Sequence, residues 1–162
     1  YLDADRTGWP YPVIPFHVNC IGNRLTGSRF GEPGQDPPGP TPARCFAVGA
    51  AVARAFIDGP YRVVLVGSSS WSHAFLAAKN HYLWPDVEAD RRLYEHMVAG
   101  RYDQWMRITN DEIEDAAQHE MLNWMCLLGA MEELGRKPDF ADFVESWTFN
   151  SCKAMAIFGP GS

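Results

Sequence analysis

The segment RVVLVGSSSWSH, Arg62 to His73, runs a continuous β-branched stretch into three serines, a tryptophan and a histidine. Arg62 to Gly67 has the pattern of a strand buried on both faces of a sheet. A helix is announced just before it, with Thr41 as N-cap and Pro42 at the first helical position, where its missing N–H costs nothing. Phe46, Ala47, Ala50, Ala51, Val52, Ala55 and Phe56 offer an apolar face, and Asp58-Gly59-Pro60 stops the helix. Helix followed by buried strand predicts an α/β fold, a mixed sheet core flanked by helices.

Outward from this unit the signals are mixed. YPVIPFHVN, Tyr11 to Asn19, is rich in β-formers, but Pro12 and Pro15 each remove a ladder donor, which predicts a strand with an irregular or edge beginning. Ile21 to Pro40 includes GEPGQDPPGP and reads as a long loop, of the kind that covers a site or meets another subunit. Beyond His73, Val87, Leu93, Tyr94 and Met97 predict a helix from Asp86 to Ala99 that ends at Gly100. Thr109 and Glu112 have capping-box spacing and open a helical stretch through AAQHEMLNWMCLLGAMEEL, in one piece or two, ended by Gly135 and Pro138. Ser146 to Asn150 and Lys153 to Phe158 are short strand candidates. No repeat or linker divides the chain, so residues 1–162 read as one domain, and the opening YLDADRTGWPYPVIPFHVN reads as the interior of a longer polypeptide.

The composition, 46% hydrophobic and 21% charged over 162 residues, is that of a globular protein with enough apolar material for a core. A net charge of -6 without clustered Lys and Arg argues against a nucleic-acid partner. Cys20, Cys45, Cys126 and Cys152 form no C-x-x-C pair, so reduced thiols in a cytoplasm are expected rather than a zinc ribbon or disulfide scaffold. No apolar run reaches the roughly 18 residues of a membrane span.

Three kinds of chemistry compete for the opening segment. GSSSW lacks the small fifth residue of a nucleophile elbow, that place being Trp71, and no phosphate-loop fingerprint accompanies the serines, so turn chemistry is their plainer reading. His73 lies just past the end of the predicted strand, where open α/β sheets bind ligands, and there a proton-exchanging imidazole and a locally satisfied one both fit. Glu120 stands among Ala116, Ala117, Met121, Trp124 and Met125. At that position a carboxylate either needs a cationic or metal partner or sits at the polar border of its helix. His17 fits a core or pocket wall; His81 and His96 fit surface or helix packing. Helical spacing sets His119 about 100° from Glu120, so the two would not share a face. Asn123 breaks the H-E-x-x-H zinc pattern. The tryptophans fit a core better than a cofactor platform.

Four stretches together resemble the class III extradiol ring-cleavage dioxygenases, the family of the protocatechuate 4,5-dioxygenase β subunit. They are PFHVNC followed by PTPARCFAVGAAVARAF, then RVVLVGSSSWSH, HEMLNWMCLLGAM and WTFNSCKAMAIF, in the family's order from about Tyr11 to Phe158. The resemblance implies non-haem Fe(II) held by two histidines and one glutamate, with open positions for a catecholic substrate and O2. It puts the glutamate ligand on Glu120, one helical turn before Trp124, and the active-site base on His73. Both iron-ligating histidines of the family fall upstream of Tyr1, so the chain corresponds to the C-terminal portion of a catalytic subunit. His17 is not one of them and is left as a candidate substrate-binding side chain. The resemblance further implies a homo-oligomer or a complex with a small α subunit. Two rival readings are a noncatalytic scaffold or binding subunit of the same fold, and a serine hydrolase using Ser68 to Ser70 with His73.

Overall fold

The computed structural model describes residues 8–20 and 39–160. The elements in order are α1 (Pro42–Ile57), α2 (Val87–Ala99), α3 (Tyr102–Met106), α4 (Asn110–Asp115), α5 (Met121–Glu133), β1 (Phe140–Val144) and β2 (Lys153–Ile157), with two 3-10 turns, Ala74–Leu76 and Ala78–Asn80, between α1 and α2. Most boundaries follow from local chemistry. The Thr41 hydroxyl accepts from the Arg44 N–H at the start of α1, and the Asp86 carboxylate accepts from the Ala89 N–H at the start of α2. Gly100 leaves α2 at φ 70°, a left-handed value that suits glycine. Thr109 and Glu112 form both halves of the expected capping box on α4.

The core is helical and centres on α5, whose buried residues include Met121, Leu122, Trp124, Met125, Leu127 and Leu128. Such all-round burial needs neighbours on several sides. On one side α1 lies backbone-close: a Cβ at Gly49 would run into the Cys126 carbonyl, and one at Gly129 into the Phe46 backbone. Two glycines thus set the separation of the two helices. The buried face of α1 is Cys45, Phe46, Gly49 and Ala53. That face is rotated from the expected alanine-rich one, because close approach selects the small residues at i and i+4 and leaves Ala47, Ala51 and Ala55 outside. On the other side Trp71 enters an aromatic cluster, edge-on to Trp105 and Trp124 at 6.0 and 5.6 Å and tilted against Phe143 at 5.5 Å.

β1 and β2 pair antiparallel, Phe140 opposite Ile157 and Val144 opposite Lys153. Their half-buried face (Ala141, Phe143, Ala154, Ala156) packs on the helical core. This is the one ladder among the described residues, so the expected mixed central sheet is not found there. Arg62 to Gly67 forms no regular element, with Val64 86% and Val66 77% exposed, contrary to the reading as a buried strand. Its β-branched residues favour the extended backbone, yet burial needs a strand on either side, and none of the described residues provides one. Tyr11 to Asn19 is likewise without a ladder and its side chains, His17 among them, are largely exposed, which corrects the core reading of His17. The long loop falls mostly on 21–38, outside the described residues. Ser146 to Asn150 forms bends rather than a strand, while β1 arises in FADFV, a segment with no strand expectation. No described helix is long and apolar enough to cross a membrane.

Candidate active site

His73 and Glu120 reach one place by two routes. After the unpaired Arg62–Gly67 stretch, Gly67 passes close over Leu127, where an added Cβ would meet the leucine side chain at 3.2 Å. Four residues on, Trp71 is 1% exposed and fixes the segment in the core. His73 then turns inward, 7% exposed, with its N–H donating to the Ala117 carbonyl at 3.0 Å. Glu120 arrives from the break between α4 and α5. Ala117, at φ 56°, stops the helical path, so Gln118, His119 and Glu120 form a turn and Glu120 becomes the N-cap of α5. A non-glycine residue held in the left-handed region stores local strain, which is tolerated where surroundings over-determine it; here Ala117 is fully buried and its carbonyl carries His73.

In this arrangement the Ser70 N–H donates to Glu120 Oε2 at 3.0 Å, while Glu120 Oε1 lies 3.6 Å from His73 Nε2. The latter distance is beyond a hydrogen bond. His73 Nδ1 is buried and has no partner, so no hydrogen bond locks the tautomer, and Nε2 is the ring nitrogen a molecule beside Glu120 would meet. The Phe75 ring stands edge-on to the imidazole at 5.1 Å. The Glu120 side chain is 34% exposed, at the border of the core, and as the N-cap it also sits at the positive end of the α5 dipole. Its charge reaches Cys20, whose thiol is pushed up to about 11 by burial first and by Glu120 second. Asn123 donates to Cys20 Sγ at 3.5 Å, so the end of the 8–20 segment touches the first turn of α5.

Of the sequence-derived residues, the structure therefore brings His73 and Glu120 together. His17 stays exposed, three residues before Cys20. His119 was separated from Glu120 by helical geometry, but no helix runs there; it is 3% exposed, close enough to His73 for their charges to oppose, and burial pushes its imidazole below the ordinary 6.5. Sequence periodicity missed this because the Ala117 turn resets the phase. Asp90 was also missed. It is fully buried in α2 and accepts from the Ser72 N–H at 3.2 Å, the Ser72 hydroxyl at 2.7 Å and the Gln118 amide at 2.8 Å. No serine hydroxyl is hydrogen-bonded to His73 among the described residues: Ser72 Oγ donates to Asp90, and Ser69 Oγ is buried without a partner. The nucleophile–base pair of a serine hydrolase is thus not formed. A cavity of about 420 Å³ lies elsewhere, beside α2, α3 and α4, lined by Lys79, Arg92, His96 and Gln104 among others and by neither His73 nor Glu120.

A protein-family model described as the catalytic LigB subunit of aromatic ring-opening dioxygenase matches residues 36–154. The chain belongs to this family. No curated protein and no solved structure matches it. The matched span contains His73, Asp90 and Glu120 and excludes His17. Aromatic ring opening with dioxygen is the chemistry the family's description gives to its catalytic subunit, which accords with a small-molecule substrate and a partner subunit. The metal such enzymes use is not accommodated by the described residues alone, because no three of their His, Cys, Asp or Glu side chains form a group that could hold an ion. Glu120, with one oxygen on Ser70 and the other facing His73, can offer one carboxylate ligand.

Proposed function

We propose that this chain contributes the acid–base residue and one carboxylate ligand to the site of a non-haem Fe(II)-dependent extradiol dioxygenase that cleaves a catecholic ring with O2. The observation that carries the reading is the juxtaposition of His73 Nε2 and Glu120 Oε1 at 3.6 Å, within a span that matches an aromatic ring-opening family. When bound, the metal would supply coordination for the two catecholic oxygens and for O2. By the family resemblance, its remaining two protein ligands would be histidines in addition to Glu120.

The chain's own contribution is then proton handling and orientation. His73 takes a proton from a substrate hydroxyl at Nε2 and returns one later in the cycle, since an imidazole exchanges protons in both directions near neutral pH. The Ser70 N–H keeps the Glu120 carboxylate turned toward the same space. Burial pushes the His119 imidazole below its ordinary 6.5, which disfavours a second positive charge beside His73. We assign His17 to the substrate side, on the exposed segment that ends against α5 at Cys20. The assembly is a homo-oligomer or a pairing with a small α subunit, in a reducing cytoplasm suited to four free thiols.

The test is oxygen uptake by the full-length protein, reconstituted anaerobically with Fe(II) and offered catechol, protocatechuate and gallate. Stoichiometric uptake with a yellow ring-opened semialdehyde-type acid supports the reading, and no uptake with any of the three refutes it. A noncatalytic member of the family is the second reading, favoured by the missing three-ligand group among the described residues. Metal analysis of the natural full-length product separates the two: iron near one per chain supports the enzyme, and none supports the scaffold.

A further inference from the structure

Ser72 and Gln118 lie far apart in the chain, yet both end on the same buried carboxylate. Ser72 is the neighbour of His73, and Gln118 lies two residues before Glu120. Asp90 Oδ1 accepts the Ser72 N–H at 3.2 Å and the Gln118 side-chain amide at 2.8 Å, while Oδ2 accepts the Ser72 hydroxyl at 2.7 Å. Asp90 itself is 0% exposed, on the inward face of α2 between Val87 and Leu93. A carboxylate in such a place is costly unless its oxygens are filled with donors, and this one has three donors from two chain segments. Among the described residues the two segments also meet through the packing of Trp71 on Trp124, the backbone bond from His73 N to Ala117 O and the Ser70 N–H on Glu120 itself, but Asp90 is the buried side chain to which both are hydrogen-bonded.

We propose that Asp90 is a positioning residue for the ring-opening reaction, a brace that sets the distance between His73 and Glu120 without touching substrate. The proposal rests on the assignment of those two residues made above. The brace acts through its neighbours: with Ser72 and Gln118 pinned to one carboxylate, the imidazole and the Glu120 carboxylate are presented from segments that cannot slide relative to each other. Three hydrogen bonds to one helix leave little play, and a displacement of about 1 Å at a reacting group costs about 100-fold in rate.

Two substitutions separate bracing from bulk stability. Asp90→Asn keeps an acceptor oxygen for the Ser72 N–H and Gln118, and its amide can donate to the Ser72 hydroxyl, which rotates to accept. Asp90→Leu keeps the number of side-chain heavy atoms, with two methyl groups in place of the oxygens, and satisfies no donor. In the full-length, iron-reconstituted enzyme, Asp90→Asn should keep kcat within about threefold of the parent, while Asp90→Leu should lower kcat about 100-fold with KM changed less than about threefold. Native-state hydrogen exchange supplies a readout free of turnover: the Ser72 and His73 amides should stay protected in Asp90→Asn and lose protection selectively in Asp90→Leu. If Asp90→Leu does not fold, the pair Ser72→Ala with Gln118→Leu takes its place, and the same kcat loss and exchange pattern are expected.

The proposal is overturned if a folded Asp90→Leu or the replacement pair keeps parental kcat and parental Ser72 and His73 protection. It is equally overturned if Asp90→Asn is as damaging as Asp90→Leu, because the carboxylate's charge rather than its geometry would then matter. Should the parent show no ring-opening turnover, the function proposed above fails, and hydrogen exchange alone still decides whether Asp90 joins the two segments.

Discussion

Trp71 anchors the segment that carries His73, and its removal can be costed. The indole is 1% exposed and lies against Trp105, Trp124 and Phe143 with ring centroids 5.5 to 6.0 Å away. Truncating a buried tryptophan to alanine costs about 3–5 kcal/mol, and three aromatic contacts, each adding about 0.5–1.5 kcal/mol beyond area, put Trp71→Ala at the upper end. For a chain of this length that corresponds to a fall in Tm of roughly 10–20 °C. The gentler Trp71→Phe is more diagnostic. Trp71 Nε1 is buried without an acceptor, so phenylalanine loses no hydrogen bond and removes an unsatisfied donor. Trp105 is as buried, but its Nε1 donates to the Leu93 carbonyl at 3.0 Å, so Trp105→Phe loses a bond as well as area. Trp105→Phe should therefore be the more destabilising by about 1 kcal/mol or more. Urea unfolding followed by far-ultraviolet circular dichroism measures both without relying on the altered fluorophores. The reasoning is refuted if Trp71→Phe costs as much as Trp105→Phe, or if Trp71→Ala costs less than about 1.5 kcal/mol.

Three further outcomes follow from the same structure. Gly49→Ala and Gly129→Ala each push a methyl into the facing helix backbone and should destabilise by at least about 1–3 kcal/mol in the same unfolding assay, whereas Ala51→Gly, on the exposed face of α1, should cost only about 1 kcal/mol through helix propensity. Thr109→Ala removes half of the capping box and should cost about 1 kcal/mol at pH 7. Hydrogen bonds from the Thr109 backbone and hydroxyl hold Glu112 below its ordinary 4.5, so its stabilisation is complete above pH 4.5 and is lost as pH falls through the depressed folded value; the gap between parent and variant should narrow over that acidic range. His17→Ala should raise KM for the aromatic substrate with kcat little changed if the side chain contacts substrate, and an unchanged KM removes it from the site.

The helix boundaries were legible because their causes are local. Thr41-Pro42, Asp86, Gly100 and the Thr109/Glu112 pair each act within a few residues of where they stand, and all behave as their types dictate. RVVLVG is neither a strand nor buried, since both depend on neighbouring strands that no local pattern specifies and no described residue supplies. The rotated face of α1 has a similar origin: Gly49 faces α5 because of what α5 offers at Cys126, information absent from α1 itself. At the site, His73 and Glu120 were singled out from residue type, neighbours and family resemblance, and the structure puts them 3.6 Å apart. His119 and Asp90 were not recognised. One left-handed residue, Ala117, breaks the helical phase on which the His119 expectation rested, and Asp90 in the run Ala-Asp-Arg-Arg has the appearance of a solvated helix face until Ser72 and Gln118 close over it.

The division of labour between Glu120 and His73 is the central claim, and iron content measured alongside turnover tests it most directly. Full-length parent, Glu120→Gln and His73→Gln proteins, reconstituted anaerobically, would be assayed for bound Fe(II) per chain and for catechol-dependent O2 uptake. Glu120→Gln should lose both iron and uptake, while His73→Gln should keep parental iron and lose most of its uptake. Iron lost from His73→Gln and retained by Glu120→Gln would contradict the account.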